Sequence, residues 1–408
     1  LVRHAATRVP LYREKYRAAG VDPEEIRSVD DLARLPVVTR SDLRAAFPDG
    51  LLAEGTNRDQ VYRVETSGST GVPVRVFKDW EALCAIAAWS SPVMLRRWWG
   101  AWGLRLMTLL LRQEHSIESA IVAALPRFLL RVHAGDALAP PDAQLEIIPR
   151  HRPDVLVTYP TVLKTLATRI LDEGLRIPQP KLLATSAEML DGHSRHLIGR
   201  AFAGHLVNIY ASTEAGFTAV ECLEGRGLHV NSPRVIVEVL RDGRPVGPGE
   251  PGAVVVTDLT SFACPIIRYE GLGDIARWSD RTCACGRHFP LLDVVEGRRV
   301  DAFVLPDGRV LHPFTLSHTM VHVEGLRRFQ IIQEATDQVR VLLVPDGQGP
   351  SDLADRVGEE FGRLLGAGVR VAVDIVDEIA APPGAHWPPT VRSLVAERAA
   401  RAGPGSSG

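Results

Sequence analysis

Apolar residues recur along this chain with two different periods, and the changes of period mark its parts. Over the first sixty residues the spacing is helical. Tyr12 to Ala19 reads as an amphipathic helix, and Ser28, Asp30 and Asp31 offer caps ahead of Leu32 to Leu35. From Tyr62 the alternation is that of a strand; a small-residue turn at Thr66 to Gly71 follows, and Val74 to Phe77 resume the strand pattern, so the turn is predicted to join two strands. The middle is the most regular part. Val155 to Tyr159 is a β-rich apolar run, Pro160 starts a helix carried by Val162, Leu163, Leu166 and Ile170, and Leu182 to Thr185 form a second strand. A helix from about Asp191 to Phe202 and a third strand, Leu206 to Tyr210, complete the series. Strand, helix, strand, helix, strand predicts parallel pairing with right-handed crossovers. Ligands of such sheets collect beyond the carboxyl ends of the strands, which draws attention to the residues after Tyr210.

From Arg234 the pattern turns antiparallel, with Val235 to Leu240, a turn at Asp242-Gly243, and Ala253 to Asp258. Beyond Gly297 two strands (Phe329 to Glu334, Gln338 to Val344), a helix (about Leu353 to Leu365) and a strand (Val369 to Val376) make a small α+β unit of roughly 95 residues, near the lower end of domain size. The fold class expected is an α/β large N-terminal domain, a parallel sheet with antiparallel additions, followed by a small α+β C-terminal domain. The division is 1–299, 300–400, and a Gly/Ser-rich tail at 401–408 expected to be disordered. No internal repeat is visible.

Composition narrows the classes of function. A chain of 408 residues, 45% hydrophobic, has material for more than one core. Its 47 basic and 49 acidic side chains nearly cancel, so it lacks the long-range field that draws a protein to nucleic acid or an anionic membrane. The apolar stretch Ile117 to Val132 is broken by Pro126, Arg127 and Arg131, short of the roughly 18 to 20 residues of a membrane span. Residue 1 is Leu, and no basic-then-apolar signal pattern follows; the expectation is of a true start further upstream, with targeting unread. Five cysteines (Cys84, Cys222, Cys264, Cys283, Cys285) are too few for a disulfide framework, which makes a soluble protein in the reducing cytoplasm the expectation. Only four of the basic residues are lysine, namely Lys15, Lys78, Lys164 and Lys181, and none follows Lys181. That bias matters only where chemistry needs an amine, which arginine does not replace conservatively.

Four motifs carry candidate chemistry. Thr66-Ser67-Gly68-Ser69-Thr70-Gly71-Val72-Pro73 packs hydroxyls and glycines into one turn, suited to a polyphosphate, and lacks the Gly-Lys-Ser/Thr of a Walker loop. Taken alone it reads more readily as an ordinary polar turn. Ile209-Tyr210-Ala211-Ser212-Thr213-Glu214 follows the third parallel strand, Pro265-Ile266-Ile267-Arg268-Tyr269 precedes Gly273-Asp274, and Gly297-Arg298-Arg299-Val300-Asp301 falls between the large and small domains. In this order and spacing the motifs resemble the adenylate-forming superfamily of acyl-CoA synthetases, peptide-synthetase adenylation domains and luciferases. The closest likeness is to the phenylacetate-CoA ligase group, with its capsular-polysaccharide-protein and coenzyme F390 synthetase relatives. Pro10-Leu11-Tyr12-Arg13, Cys283-Ala284-Cys285-Gly286-Arg287 and Phe329-Gln330-Ile331-Ile332-Gln333 add to a resemblance that spans nearly the whole chain.

The resemblance implies that residues Ser67 to Gly71, with Thr66, hold the β- and γ-phosphates of ATP and that Tyr210 lies against adenine, although the end of a buried strand is an equally compatible role. It implies that Thr213 touches the α-phosphate and Glu214 holds Mg²⁺, whose hard oxygen preference a carboxylate meets; Thr-Glu after a strand is also a reasonable helix start. Asp274 accepts from the ribose hydroxyls, Arg298 lies near the nucleotide and Asp301 is the hinge of the small domain. Tyr159, Ser186, Ala187 and Glu188 follow neighbouring strands and line the acid pocket, or serve as strand-end packing. The reaction implied is attack of a small carboxylate, for which an aromatic acid is suggested by the family likeness alone, on the α-phosphorus of ATP, with release of pyrophosphate and then displacement of AMP by CoA or another nucleophile. A homodimer is left open.

Three features depart from or extend the family pattern. The segment Arg268-Tyr269-Glu270-Gly271-Leu272-Gly273-Asp274 is one residue longer than the usual spacing, which a bulge at Gly271 would absorb. The family's C-terminal lysine is missing: Gly384-Ala385-His386-Trp387-Pro388-Pro389 occupies its place, with His386 at or next to the position. Either His386 or an arginine such as Arg392 substitutes, or a partner supplies the amine, or the protein is a nucleotide-binding, non-catalytic homologue. The third is a metal site. Cys222, His229, Cys283 and Cys285 match a closed structural zinc site, as in some family members, while a Cys-x-Cys pair is also simply a small, reduced loop.

Overall fold

The computed structural model describes all residues except 67–73, 96–104, 111–116, 118–119, 122–130, 138, 225–226, 299–302, 308, 312–315, 317–318, 321–322, 346, 348–349, 381–389 and 403–408. The chain forms two compact units. The first comprises Leu1–Tyr159, Ile177–Ala187 and Gly204–Val295; the second comprises Pro160–Arg176, Glu188–Ala203 and Glu296–Gly408.

The first unit is built on a 13-stranded sheet. Its parallel half runs Arg131–Asp136, Arg105–Leu110, Val155–Thr158, Leu182–Ser186, His205–Ser212. The last three are the predicted strands, with Val155, Leu182, Ala184, Val207 and Ile209 among the buried side chains that pack together. At Ser212 the chain reverses into Gly216–Glu221, and from there the sheet is antiparallel through Leu228–Val230 to Leu291–Arg298. Asp274–Trp278, Pro251–Asp258 and Val235–Arg241 follow, the last two paired antiparallel as predicted, and Ile266–Tyr269 joins the edge of Pro251–Asp258. Val61–Glu65 and Arg75–Asp79 make a separate antiparallel pair, so the small-residue turn does join two strands.

The N-terminal helices Val2–Arg8, Pro10–Ala18 and Arg40–Ala46 bury one face in the same core. Thr39 and Asp42 cap the third reciprocally, each side chain accepting from the other's backbone N–H. Tyr12, fully buried, donates to the Pro265 carbonyl and accepts from the Ile267 amide, both at 2.9 Å. Two of the sequence motifs are thereby tied to one another.

In the second unit a four-stranded sheet runs Arg370–Ile375, Gln338–Pro345, Leu326–Ala335, Val391–Ser393. Leu353, Val357, Phe361 and Leu365, spaced four apart on the helix Leu353–Leu365, all face its core beside Phe329, Ile331 and Val341. Burial of side chains of this size contributes about 1.5–3 kcal/mol each. The helices Pro160–Asp172 and Gly192–Ala201 group with this unit and not with the sheet whose strands they follow. His193 lies edge-on to Phe329 at 5.8 Å and Asp172 lies 3.8 Å from Arg327, contacts the sequence pattern alone does not reveal. A final helix, Leu394–Ala402, takes in the first two residues of the segment expected to be a disordered tail; the remainder, 403–408, lies outside the described residues. All five cysteines are free, and among the described residues no helix is long and apolar enough to cross a membrane.

Candidate functional site

The hydroxyl-and-glycine loop is closed at its neck. The Thr66 amide donates to the Val74 carbonyl and the Val74 amide to Thr66 Oγ1, both at 3.0 Å, so Thr66 staples the base of the loop. Ser67, Gly68, Ser69, Thr70 and Gly71 lie outside the described residues.

Thr213 and Glu214 sit in the tight turn between the antiparallel strands His205–Ser212 and Gly216–Glu221, not at the start of a helix. Ser212 Oγ accepts from the Ala215 amide at 3.0 Å, and Gly216 takes φ +64. A Cβ there would lie 2.9 Å from Ile86 Cγ1, so both the dihedral and the space call for glycine. Thr213 is half-buried and Glu214 is buried.

Beneath the turn lies an ionic network with no solvent exposure. Lys78 donates to the Glu214 carbonyl (2.7 Å), Asp258 Oδ2 (3.0 Å) and Ser261 Oγ (2.9 Å), which employs all three of its N–H donors. Arg234 donates to the Ala215 and Phe217 carbonyls, and its Nη1 lies 3.2 Å from Asp258 Oδ1. Burial raises the Asp258 carboxyl, but Lys78 and Arg234 more than reverse this and hold it at about 2. On the other side Tyr269 donates to Glu214 Oε1 at 2.7 Å. Burial and the Glu214 charge push the Tyr269 phenol far up, so it remains a donor.

Tyr210 and Asp274 are brought into direct contact: the Tyr210 hydroxyl donates to Asp274 Oδ2 at 2.8 Å. Ahead of Asp274 the chain turns at Gly273, which has φ +74 and donates to the Glu270 carbonyl. Gly271 is not the bulge expected from the sequence. Its dihedral is ordinary, but a Cβ would lie 2.3 Å from the Tyr269 ring, so glycine is needed there for the ring to cross the backbone. Arg268, φ +48, serves the scaffold: it clamps Glu238 with two bonds of 2.9 and 3.0 Å and donates to the Ala33 and Leu35 carbonyls.

Tyr159, Ser186 and Ala187 stand at the carboxyl ends of adjacent parallel strands, and Ala187 adopts φ +66, a sparsely populated conformation for a residue with a side chain. Glu188 instead accepts from the Thr161 amide at 3.0 Å and so caps the helix Pro160–Asp172. Arg298 ends the strand Leu291–Arg298; Asp301 and His386 lie outside the described residues. Arg392, the arginine weighed as a replacement for the lysine, is paired with Glu397 by bonds of 2.6 and 2.9 Å. Lys15 and Lys181 are paired with Asp42 and Asp154, and Lys164 is buried on the helix Pro160–Asp172, where desolvation lowers its amine.

The predicted metal ligands converge. Ligand atoms of Cys222, His229, Cys283 and Cys285 all lie within 4.8 Å of one another, with Cys222 Sγ 3.4 Å from Cys283 Sγ and Cys285 Sγ 3.3 Å from His229 Nε2. Cys222 follows the strand Gly216–Glu221, and His229 lies in Leu228–Val230 opposite Leu291; the loop between Trp278 and Leu291 brings Cys283 and Cys285 to them. A tetrahedral site with Zn–S of about 2.3 Å and Zn–N of about 2.0 Å spaces its donors by about 3.5–3.8 Å, which this donor set fits.

Sequence reasoning missed Lys78, Arg234 and Asp258. The strand pattern read from the sequence, Val74 to Phe77, stops short of Lys78, and only contacts more than a hundred residues away along the chain bury that lysine.

A family model described as the CapK C-terminal domain matches residues 303–389. The phenylacetate-coenzyme A ligase of Thermus thermophilus is 29% identical over 405 residues, covering 93% of this chain and 88% of that protein. The Escherichia coli enzyme of the same name is 28% identical over 343 residues, covering 80% and 74%. Among solved structures, 2-hydroxyisobutyryl-CoA ligase in the postadenylation state with R3-HIB-AMP superposes with a TM-score of 0.81 at 21% identity, over 98% of this chain and 88% of that one. The anthranilate CoA ligase AuaEII with anthranoyl-AMP gives 0.60 at 14% identity, over 86% and 68%. At these identities the structural likeness speaks for the fold.

Proposed function

Because the chain belongs to the adenylate-forming superfamily, in its phenylacetate-CoA ligase-like group, we propose that it uses ATP to activate a small carboxylic acid as the acyl-adenylate and passes the acyl group to CoA. In the first step a substrate carboxylate oxygen bonds to the α-phosphorus while the bond to pyrophosphate breaks. In the second the thiol sulfur bonds to the acyl carbon, its proton is lost, and AMP leaves. Catalysis of the first step is positioning and electrostatic stabilisation of charge spread over phosphate oxygens. The observation that carries the reading is the convergence of separate motifs in one unit: Tyr210 meets Asp274, and Glu214 meets Tyr269.

In this reading the loop stapled by Thr66 takes the β- and γ-phosphates, the Thr213 hydroxyl donates to an α-phosphate oxygen, Asp274 accepts from the ribose and Tyr210 flanks the base. Glu214 offers an anionic oxygen suited to Mg²⁺, which when bound neutralises charge on the phosphates. Tyr159, Ser186 and Ala187 border the acid, whose aromatic character follows from the phenylacetate relatives. Arg298 approaches the nucleotide and Asp301 serves as the hinge between domains 1–299 and 300–400. The free thiols suit a cytoplasmic setting. With ATP, Mg²⁺ and a panel of aromatic and small aliphatic acids, pyrophosphate release is expected with at least one acid, and CoA is expected to convert the adenylate to thioester. Tight ATP binding without pyrophosphate release on any acid would restore the non-catalytic reading.

Cys222, His229, Cys283 and Cys285 would hold zinc in a closed structural site, pinning the loop that carries Cys283 to the strand that carries His229. Protein purified without added metal is expected to contain about one zinc per chain, and Cys283→Ser to lose most of it. Less than a tenth of an equivalent in the unmodified protein sinks the idea.

A further inference from the structure

Glu214 is held from two directions, and the hold on its carboxylate has a geometry of its own. The Tyr269 hydroxyl donates to Glu214 Oε1 at 2.7 Å, and the Arg40 guanidinium is hydrogen bonded to the same hydroxyl. Arg40 Nε also donates to the Gly271 carbonyl at 3.1 Å. The backbone on either side of Tyr269 is pinned by the N-terminal segment: the Val38 amide donates to the Arg268 carbonyl (2.8 Å) and the Glu270 amide to the Val38 carbonyl (2.9 Å). The ring itself lies on Gly271, where there is no room for a Cβ. A phenol so confined has one place to put its hydroxyl.

We infer that Tyr269, steadied by Arg40, is a positioning residue: it fixes the Glu214 carboxylate in the rotamer that receives Mg²⁺ with the nucleotide. This rests on the reading of Glu214 as the carboxylate that holds Mg²⁺. The chemistry suits the task. A cation placed as Oε1's only partner would compete with the metal for the carboxylate, whereas a neutral hydroxyl aims it and leaves its charge available. Arg40 acts at one remove, where it orients the phenol without neutralising the carboxylate. Without the hydroxyl a buried carboxylate must find another partner or another rotamer before it can bind metal, and the metal bears that cost.

Calorimetric binding of ATP at increasing Mg²⁺, with no acid present, tests this on the full chain. Tyr269→Phe keeps the ring and its fit over Gly271, and is expected to raise the Mg²⁺ concentration for half-maximal ATP binding about tenfold, the scale of one lost hydrogen bond to a charged group. Arg40→Met is expected to move it the same way by a smaller factor, and it stands in should the phenylalanine variant fail to fold. Half-saturation by Mg²⁺ unchanged within twofold in both variants, even with a lowered melting temperature, would show a merely structural tyrosine and overturn the inference. Glu214→Gln separates the two ideas. If it retains the unmodified protein's Mg²⁺ response, the assignment of Glu214 fails and takes the inference with it; if it loses that response while Tyr269→Phe does not shift, the inference alone fails.

Discussion

Asp258→Ala is expected to cost about 4 kcal/mol or more of stability, the largest single-residue loss among the ion pairs described, and to lower the melting temperature by about 10 °C or more. Most ion pairs among the described residues are solvated: Arg34 with Glu25, for instance, has both side chains about half exposed, and such pairs contribute about 0–1 kcal/mol. Asp258 is different because it is fully buried between two cations that are fully buried themselves. It also accepts from Ser261 Oγ at 2.7 Å and from the Thr260 amide and hydroxyl at 3.0 and 2.8 Å. Removing it leaves Lys78 and Arg234 without a countercharge where water cannot reach; Lys78 can shed its proton and keep two donors for the Glu214 carbonyl and Ser261, but the Arg234 guanidinium stays charged. The pH dependence has a definite sign. The folded carboxyl titrates at about 2 against an ordinary 3.8, so its contribution is complete above about pH 4 and is lost as pH falls towards 2. Thermal unfolding between pH 2 and 7 should therefore show a flatter acid limb for Asp258→Asn than for the unmodified protein. An alanine variant that melts within about 2 °C of it would mean that water enters this network.

Where hydrophobic period and motif coincide, the sequence was explicit. Val155 to Tyr210 alternates apolar runs with helical spacing, and its strands and helices lie where that pattern puts them. The flanking parallel strands Arg105–Leu110 and Arg131–Asp136 were not legible: Arg131-Val132-His133-Ala134-Gly135-Asp136 has almost no apolar run, being the edge of the sheet. The turn at Thr213-Glu214 read equally well as a helix start because a hydroxyl and an acid suit both; the reversal is decided by Gly216 against Ile86, a contact distant in sequence. The metal quartet was legible because thiols and imidazole are scarce enough for their spacing to count. Lys78 was noticed only for its rarity. Its burial depends on Asp258 and the Glu214 carbonyl, far along the chain, and no local pattern carries that information.

The rarity of lysine leads to the other large effect expected, a gain of activity. None of the four amines lies beyond residue 181, and each has an assignment of its own: Lys78 has spent its three donors, Lys15 and Lys181 are paired, and Lys164 is buried on a helix of the second unit. Arg392, the nearby arginine, is gripped by Glu397. His386 is thus the remaining candidate among the residues weighed, a few residues ahead of the strand Val391–Ser393, which pairs parallel with Leu326–Ala335. A histidine is a cation only below its ordinary pKa of about 6.5, so at neutral pH it supplies part of the charge that an ammonium supplies fully. One pre-aimed cation is worth about two to three orders of magnitude in such a reaction. His386→Lys is therefore expected to raise the rate of pyrophosphate release about a hundredfold at pH 8, and His386→Ala to lower it. The pH profiles should differ in kind. Activity of the unmodified protein should rise as pH falls from 8 to 6, whereas the lysine variant should be level across that range. If His386→Lys releases pyrophosphate at the unmodified rate and keeps the same pH profile, residue 386 does not face the reaction centre or the site does not assemble, and the role given to it falls.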